Sequence, residues 1–118
     1  MNLAKKMVIA AKKAGADVAK FQTWSVKTLK PGPWDNDGRT KIYKNAELNY
    51  RKHEILIKFC KKNKINFLTS VFNHQDVEWL KKLNLKIIKI PSPEVNNIKL
   101  LKAVNGTFNS KYWSSNME

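Results

Sequence analysis

The stretch AGADVAKFQTW, residues 14–24, decides the fold of this chain. A lysine-studded amphipathic segment ends at Gly15, and glycine is favoured just past the end of a helix. The residues that follow alternate like a short strand, whose side chains point to two opposite faces. Val18, Lys20 and Gln22 therefore share one face. Because a charge or an amide facing the inside of a sheet costs free energy unless something binds it, this face is a candidate site.

A second predicted strand has the same arrangement of polar groups. Lys89 lies within an apolar run, and Ser92 and Glu94 follow just past the end of that run. Polar side chains at the ends of successive strands are how β/α folds build their active sites. The two strands together therefore predict one site that is shared between repeats.

Helix-period and strand-period segments alternate along the chain, which is typical of an α/β protein with a parallel sheet. Helices are predicted over residues 3–14, 50–63, 75–83 and 98–104, and strands over residues 17–23, 65–72, 86–90 and 111–114. The segment 25–49 contains turn signals and is predicted to be a long irregular loop. Asn73 is predicted to cap the third helix. The apolar face of the first helix is predicted to consist of Leu3, Met7, Ala10, Ala11 and Ala14.

An open sheet of four such strands would leave two long apolar edges unpaired, and such edges invite aggregation. Eight parallel strands that close into a barrel remove both edges. We therefore predict that residues 1–118 are a fragment of a single TIM-barrel domain, a partial (β/α)8 barrel that runs from about helix 1 through strand 5.

The net charge of +14 raises the possibility of nucleic-acid binding. Of the 23 basic residues, however, only Arg39 and Arg51 are arginines, the residue type that base readout favours. The lysine pairs fall on the outer faces of predicted helices, which favours a solvated surface over a nucleic-acid site. No apolar run reaches the roughly 18 residues that span a bilayer. The chain has a single cysteine, Cys60, which is typical of a protein in a reducing cytoplasm.

Four segments resemble motifs of the sialic acid synthases. Residues 14–23 are similar to AGADAVKFQT, residues 67–73 (FLTSVFN) to FLSTPFD, residues 89–97 (KIPSPEVNN) to KIASGEITN, and residues 114–117 (SSNM) to STGM. The loop at 34–39 also resembles the W-x-GR region of some members. This family comprises the N-acetylneuraminate, legionaminate and pseudaminate synthases, which condense phosphoenolpyruvate with an N-acetylated amino sugar. The resemblance covers nearly the whole chain.

The resemblance implies roles for six side chains. Four would contact the phosphate or the carboxylate of phosphoenolpyruvate: Lys20, Ser70, Lys89 and Ser92. Two would contact the acceptor sugar or position the reacting groups: Gln22 and Glu94. Of these, Lys89 and Glu94 would be the catalytic residues. Cations and hydroxyls that converge at strand ends suit a small, doubly charged anion, and lysine acts toward phosphate as a point charge.

The resemblance also implies a divalent metal, Mn²⁺ or Mg²⁺, in the complete enzyme, with ligands that this chain does not contain. Neither His53 nor His74 has a cysteine or carboxylate at metal-ligand spacing. Both histidines are predicted to face solvent, and Cys60 is predicted to pack in the core. The family's first strand, second barrel half and C-terminal antifreeze-like domain lie outside the sequence. We therefore expect the chain to be inactive alone. Members of the family tend to be dimers, so the resemblance also implies a homodimer for the full-length protein.

Two alternatives stay open on the sequence. The chain could be a non-catalytic remnant that keeps only a pocket for phosphate or phosphoenolpyruvate. It could also be a basic nucleic-acid-binding domain, whose affinity would fall steeply with salt.

Overall fold

The computed structural model describes residues 1–29, 32–33, 36–85, 87–108 and 112–114. Helices and strands follow one another along the chain as α1 (Asn2–Lys13), β1 (Val18–Thr23), α2 (Arg39–Ala46), α3 (Tyr50–Lys62), β2 (Asn66–Val71), α4 (His74–Leu80), β3 (Ile88–Ile90), α5 (Ile98–Phe108) and β4 (Tyr112–Ser114). Short 3₁₀ turns lie at Val26–Thr28, Lys81–Leu83 and Ser92–Glu94.

The four described strands form one parallel sheet in the order β1-β2-β3-β4. The predicted α/β class with a parallel sheet is confirmed. The backbone register places Gln22 opposite Ser70, Ser70 opposite Lys89, and Lys89 opposite Trp113. Three residues that the sequence predicted for a site therefore lie side by side in one row across the sheet: Gln22, Ser70 and Lys89.

The helices α1 and α3 end in the same way before the strands that follow them. In α1 the amide of Gly15 donates to the carbonyl of Lys12, and the amide of Ala16 donates to that of Ala11, both at 3.0 Å. Gly15 has φ +89°, the left-handed conformation that glycine adopts without strain. The corresponding position after α3 is Lys64, with φ +57°. The end of α1 predicted at Gly15 is therefore confirmed, and the same turn geometry is found after α3.

Two apolar clusters lie between the sheet and its helices. The larger joins β2, α4, β3 and α5 through Val71, Val77, Leu80, Ile88, Ile90, Leu100 and Val104, all of which have no exposed surface. The smaller joins α1, β1, α3 and the start of β2 through Val8, Ala19, Cys60 and Ile65. The packing role predicted for Cys60 is therefore observed. Both clusters lie on one side of the sheet, and the opposite side carries the candidate site.

The predicted buried face of α1 is wrong. Val8 is its buried residue, whereas Leu3 and Met7 are 71% and 57% exposed. Ala10 and Ala14 are also exposed, and only Ala11 packs against the smaller cluster. The apolar residues of α1 span a broad arc opposite its lysines, so the periodicity does not fix which edge of that arc is buried. Contact with the strand and with α3 selects it instead.

The described part of the segment 25–49 contains more regular structure than predicted. It contains a 3₁₀ turn and the helix α2, which begins after Gly38 at φ +87°. The sequence of α2, RTKIYKNA, has no apolar stripe and buries no residue, which explains why periodicity missed it. The predicted positions 34, 35, 86, 111 and 115–117 lie outside the described residues. In the part of the chain that the structure describes, no helix has the length and hydropathy needed to cross a membrane.

Candidate active site

The face of the sheet opposite the helices carries Lys20, Gln22, Ser70 and Lys89, which we call the lysine face. Along β1 the burial alternates, with Ala19 and Thr23 buried toward the helices and with Lys20 and Gln22 exposed. The register then aligns Ser70 between Gln22 and Lys89. Residues of three strands that are distant in sequence therefore meet on one surface.

The two lysines of this face lie close enough to interact. Partial desolvation lowers the pKa of Lys20, and the neighbouring ammonium of Lys89 lowers it further. Like charges that converge on one face repel each other, and a bound anion would relieve that repulsion. The electrostatics of the lysine face therefore favour a small anion.

The hydroxyl of Ser70 adds an unsatisfied donor at the centre of this face. Ser70 is only 1% exposed, and within the described residues its Oγ atom has no hydrogen-bond partner. A buried hydroxyl without a partner costs free energy, typically about 1–3 kcal/mol. A phosphate or carboxylate oxygen placed between the lysines would accept its hydrogen bond.

A cleft of about 510 Å³ adjoins the lysine face at the carboxyl ends of β1, β2 and β3. Its lining residues are Gln22, Trp24, Thr28, Leu29, Tyr43, Phe72, Asn73, Pro93, Glu94 and Asn97. Gln22 belongs to both surfaces, so the anion face and the cleft are continuous. Carboxyl ends of parallel strands are where β/α folds bind ligands.

Glu94 brings a carboxylate into the wall of this cleft. Its side chain is 6% exposed, and the amide Nδ2 of Asn97 donates to its Oε2 atom at 3.0 Å. Ser92 is half-buried in the same 3₁₀ turn but is not among the residues that line the cleft. The structure thus brings Gln22 and Glu94 to one cavity, with Ser92 at its margin.

The segment between β1 and α3 forms the remaining wall and is tied down by specific bonds. The side chains of Ser25 and Thr28 close the 3₁₀ turn, and Glu47 Oε1 accepts from the amide of Val26 at 2.8 Å. Trp24 and Tyr43 pack edge to face, with ring centroids 5.7 Å apart. Aromatic walls of this kind are frequent in small-molecule sites.

Trp24 also fixes the side chain of Gln22. The indole Nε1–H donates to Gln22 Oε1 at 3.3 Å. An indole can only donate, so the oxygen of the amide must face Trp24, and the amide NH₂ group remains for a ligand. Sequence reasoning missed Trp24 and Tyr43. Trp24 lies two residues beyond Gln22 in the deciding stretch, whereas Tyr43 lies on the helix that periodicity did not detect.

The prediction that His53 faces solvent is wrong, because His53 is fully buried. Its Nε2 atom lies 2.8 Å from Thr23 Oγ1, and its Nδ1 atom lies 2.8 Å from the carbonyl of Asn49. Burial lowers the pKa of His53, while the bond to Asn49 opposes that shift. His53 lies on a lysine-rich helix, and the sequence around it did not indicate that its imidazole is buried. His74 is exposed, as predicted.

Another carboxyl group, Asp76, is buried behind the cleft. Burial raises its pKa, and hydrogen bonds from the Trp79 indole and the Asn73 amide oppose this shift. Asn73 also caps α4, since its Oδ1 accepts from the amide of Asp76 at 3.0 Å. The predicted cap at Asn73 is therefore confirmed. Asp76 takes part in the hydrogen bonds that hold this cap at the start of α4.

A family comparison agrees with this geometry. The family model described as "NeuB family" matches residues 7–117. The chain belongs to the NeuB family. The resemblance to the sialic acid synthases that the motifs indicated is thereby confirmed.

Named relatives of this NeuB-family chain are synthases of N,N'-diacetyllegionaminic acid and of pseudaminic acid. It is 35% identical over 115 residues to the N,N'-diacetyllegionaminic acid synthase of Campylobacter jejuni, covering 88% of this chain and 34% of that protein. It is 30% identical to the pseudaminic acid synthase of the same organism, with the same coverage of 88% and 34%. The chain therefore spans about a third of the length of these relatives.

A solved structure has the same fold. The N-acetylneuraminic acid synthetase of Leptospira borgpetersenii, determined in complex with citrate, superposes with a TM-score of 0.70 and 28% identity. The match covers 90% of this chain and 36% of that structure. The relatives together place the chain among carbohydrate-biosynthesis proteins.

Proposed function

We propose that this NeuB-family chain forms the part of a nonulosonate synthase that binds phosphoenolpyruvate on the lysine face. The observation that carries the proposal is the convergence of Lys20 and Lys89 around the buried Ser70 hydroxyl. Phosphoenolpyruvate carries a phosphate and a carboxylate, so two cations and a hydroxyl donor suit it. Charge-assisted hydrogen bonds of this kind are stronger than neutral ones.

The adjoining cleft is proposed to hold the N-acetylated amino sugar. Gln22 lines this space with an amide NH₂ group that its bond to Trp24 leaves available, and Glu94 supplies a carboxylate that can orient a sugar hydroxyl or carry a proton. The shared position of Gln22 brings the two substrates next to each other, and proximity of this kind lowers the entropic cost of a bond-forming step. We assign Lys89 and Glu94 the catalytic roles and Ser92 an auxiliary contact to the anion.

The architecture of the complete protein is proposed to be a closed (β/α)8 barrel. The sheet carries helices on one side, while Val18 and Ile87 on the other side are 43% and 50% exposed. Apolar side chains at the amino ends of strands, beneath polar ones at the carboxyl ends, are arranged as in a barrel interior. Relatives about three times as long contain enough chain for the remaining repeats.

The resemblance implies that a divalent metal, Mn²⁺ or Mg²⁺, polarises the sugar aldehyde in the complete enzyme. Within the described ranges, however, no three His, Cys, Asp or Glu side chains are grouped so that they could hold a metal ion. These residues do not fit a complete metal site, and we assign no step to a metal here. We place its ligands in the remainder of the full-length synthase.

Binding without turnover is the second candidate function. Its support is the lysine face itself, whose two lysines and Ser70 hydroxyl suit an anion whether or not condensation follows. In that case the 118 residues would retain the anion site and no condensation activity. Both candidate functions require an anion to bind on the lysine face, so measurements of binding rather than of activity test both.

Calorimetric titration of the unaltered chain with phosphoenolpyruvate tests the proposal. We expect binding in the range of roughly micromolar to millimolar dissociation constants that substrates commonly have. Inorganic phosphate should compete, and a short DNA duplex should compete only at low salt. No heat with phosphoenolpyruvate or phosphate, together with strong and salt-dependent DNA binding, would instead favour the nucleic-acid alternative.

A further inference from the structure

A buried polar relay lies directly behind the lysine face. His53, Thr23 and Thr69 have no exposed surface. His53 Nδ1 lies 2.8 Å from the carbonyl oxygen of Asn49, His53 Nε2 lies 2.8 Å from Thr23 Oγ1, and Thr23 Oγ1 lies 2.7 Å from Thr69 Oγ1. Two of these hydrogen bonds therefore join α3 to β1 and β1 to β2, and the third holds the imidazole to the start of α3.

The direction of each bond follows from its partners. A carbonyl oxygen only accepts, so the proton of the neutral imidazole lies on Nδ1 and Nε2 accepts from the Thr23 hydroxyl. Thr23 has then used its only proton and accepts in turn from Thr69. Trp79 and Phe67 pack edge to face on the imidazole, with centroid distances of 5.0 and 6.0 Å, and hold its plane. In this arrangement each hydroxyl of the relay donates one hydrogen bond, and Thr69 Oγ1 also lies 3.5 Å from the carbonyl oxygen of Ser70.

The two threonines are chain neighbours of two residues of the lysine face. Thr23 follows Gln22 in β1, and Thr69 precedes Ser70 in β2. Adjacent strand residues point to opposite faces, so each threonine bonds behind the sheet where its neighbour faces the candidate ligand. Gln22 and Ser70 are also register partners. A hydrogen bond between the two threonines consequently fixes the positions of Gln22 and Ser70 relative to each other along the two strands.

We propose that His53 is a positioning residue that holds Gln22 and Ser70 in place for the anion by acting through Thr23 and Thr69. The inference rests on the proposed function of the lysine face. The relay uses three fully buried polar groups where valine and leucine would pack at lower desolvation cost. Such a polar cluster specifies one arrangement of the strands, and the Ser70 hydroxyl depends on that arrangement to reach a ligand oxygen.

Four variants of the 118-residue chain test the positioning role. Thr23→Val and His53→Phe remove the relay with little change in volume, and His53→Gln retains an acceptor near the position of Nε2. Val104→Ala, in α5, is the matched control that destabilises the core without touching the relay. We expect about tenfold weaker phosphoenolpyruvate binding for Thr23→Val and His53→Phe. Binding should stay within about threefold of the unaltered chain for His53→Gln and Val104→Ala.

A second readout does not require the ligand. Long-range ¹H–¹⁵N spectra should show a neutral imidazole protonated on Nδ1. The amides of Gln22 and Ser70 should exchange faster in Thr23→Val than in Val104→Ala at equal global stability. Unchanged affinity and unchanged exchange in the relay variants would overturn the inference and leave His53 a purely structural residue.

The two proposals fail in distinguishable ways. If the unaltered chain does not bind phosphoenolpyruvate, the proposed function fails and the exchange data alone decide whether the relay positions Gln22 and Ser70. If binding occurs but the relay variants bind normally, only the positioning role fails.

Discussion

Replacing Lys89 by methionine is expected to weaken phosphoenolpyruvate binding by about tenfold to a hundredfold, and Lys20→Met should have a similar effect. Hydrogen bonds to charged groups contribute about 1.5–3 kcal/mol, and about 1.4 kcal/mol corresponds to a factor of ten in affinity. Methionine keeps most of the side-chain length and removes the charge, so the change isolates electrostatics. Calorimetric titration of each variant measures the loss.

Lys58→Met is the matched control because Lys58 is exposed on α3, on the opposite side of the sheet. It removes the same charge from the chain and should leave the affinity within about twofold. An equal loss in Lys58→Met and Lys89→Met would show that overall charge attracts the anion and would contradict a built site. A side-chain titration adds an internal check, since Lys89→Met should raise the pKa of Lys20 toward its ordinary value.

Leu80→Ala is expected to lower the free energy of unfolding by about 2–5 kcal/mol, the usual cost of such a truncation in a core. Leu80 has no exposed surface and belongs to the larger apolar cluster that joins α4 and α5 to the sheet. Small domains are commonly stable by only about 5–15 kcal/mol, so this loss is a large fraction of the total. Urea unfolding followed by circular dichroism measures it.

The matched control for this prediction is Leu3→Ala, at a leucine that is 71% exposed on α1. It should change the free energy of unfolding by less than about 0.5 kcal/mol, as surface substitutions usually do. A cost for Leu3→Ala as large as that for Leu80→Ala would contradict the orientation of α1 and restore the face that periodicity predicted.

Local signals predicted the elements that have a strong period or an explicit stop. Gly15 ended α1 because only a left-handed residue completes that turn, and Asn73 capped α4 through its side-chain oxygen. The alternation around Lys20 predicted which side chains share a face. These features depend on neighbours in sequence, so a single sequence contains them.

Features that depend on distant contacts were not predictable in this way. The apolar residues of α1 span a broad arc of the helix, and only packing against β1 and α3 selects Val8 as the buried one. His53 is buried because Thr23 and Asn49 supply its hydrogen bonds, and those partners come from a strand and a cap that sequence alone does not place together. Tyr43 was missed because α2 lacks an apolar stripe.

The candidate site falls between these two cases. The motifs named Lys20, Gln22, Ser70 and Lys89 separately, but the register of the sheet makes them neighbours. Ser70 had little signal of its own, since serine often simply ends a strand. Its burial between two lysine-bearing strands, without a described partner, gives it a central place in the proposed site.

Residue-resolved NMR of the unaltered chain during titration with phosphoenolpyruvate would show whether the anion binds on the lysine face. We expect saturable shifts that are largest at Lys20, Gln22, Ser70 and Lys89, with small shifts along the outer lysines of α1 and α3. Shifts spread over the outer lysines, with none at Ser70, would contradict a phosphoenolpyruvate site on the lysine face.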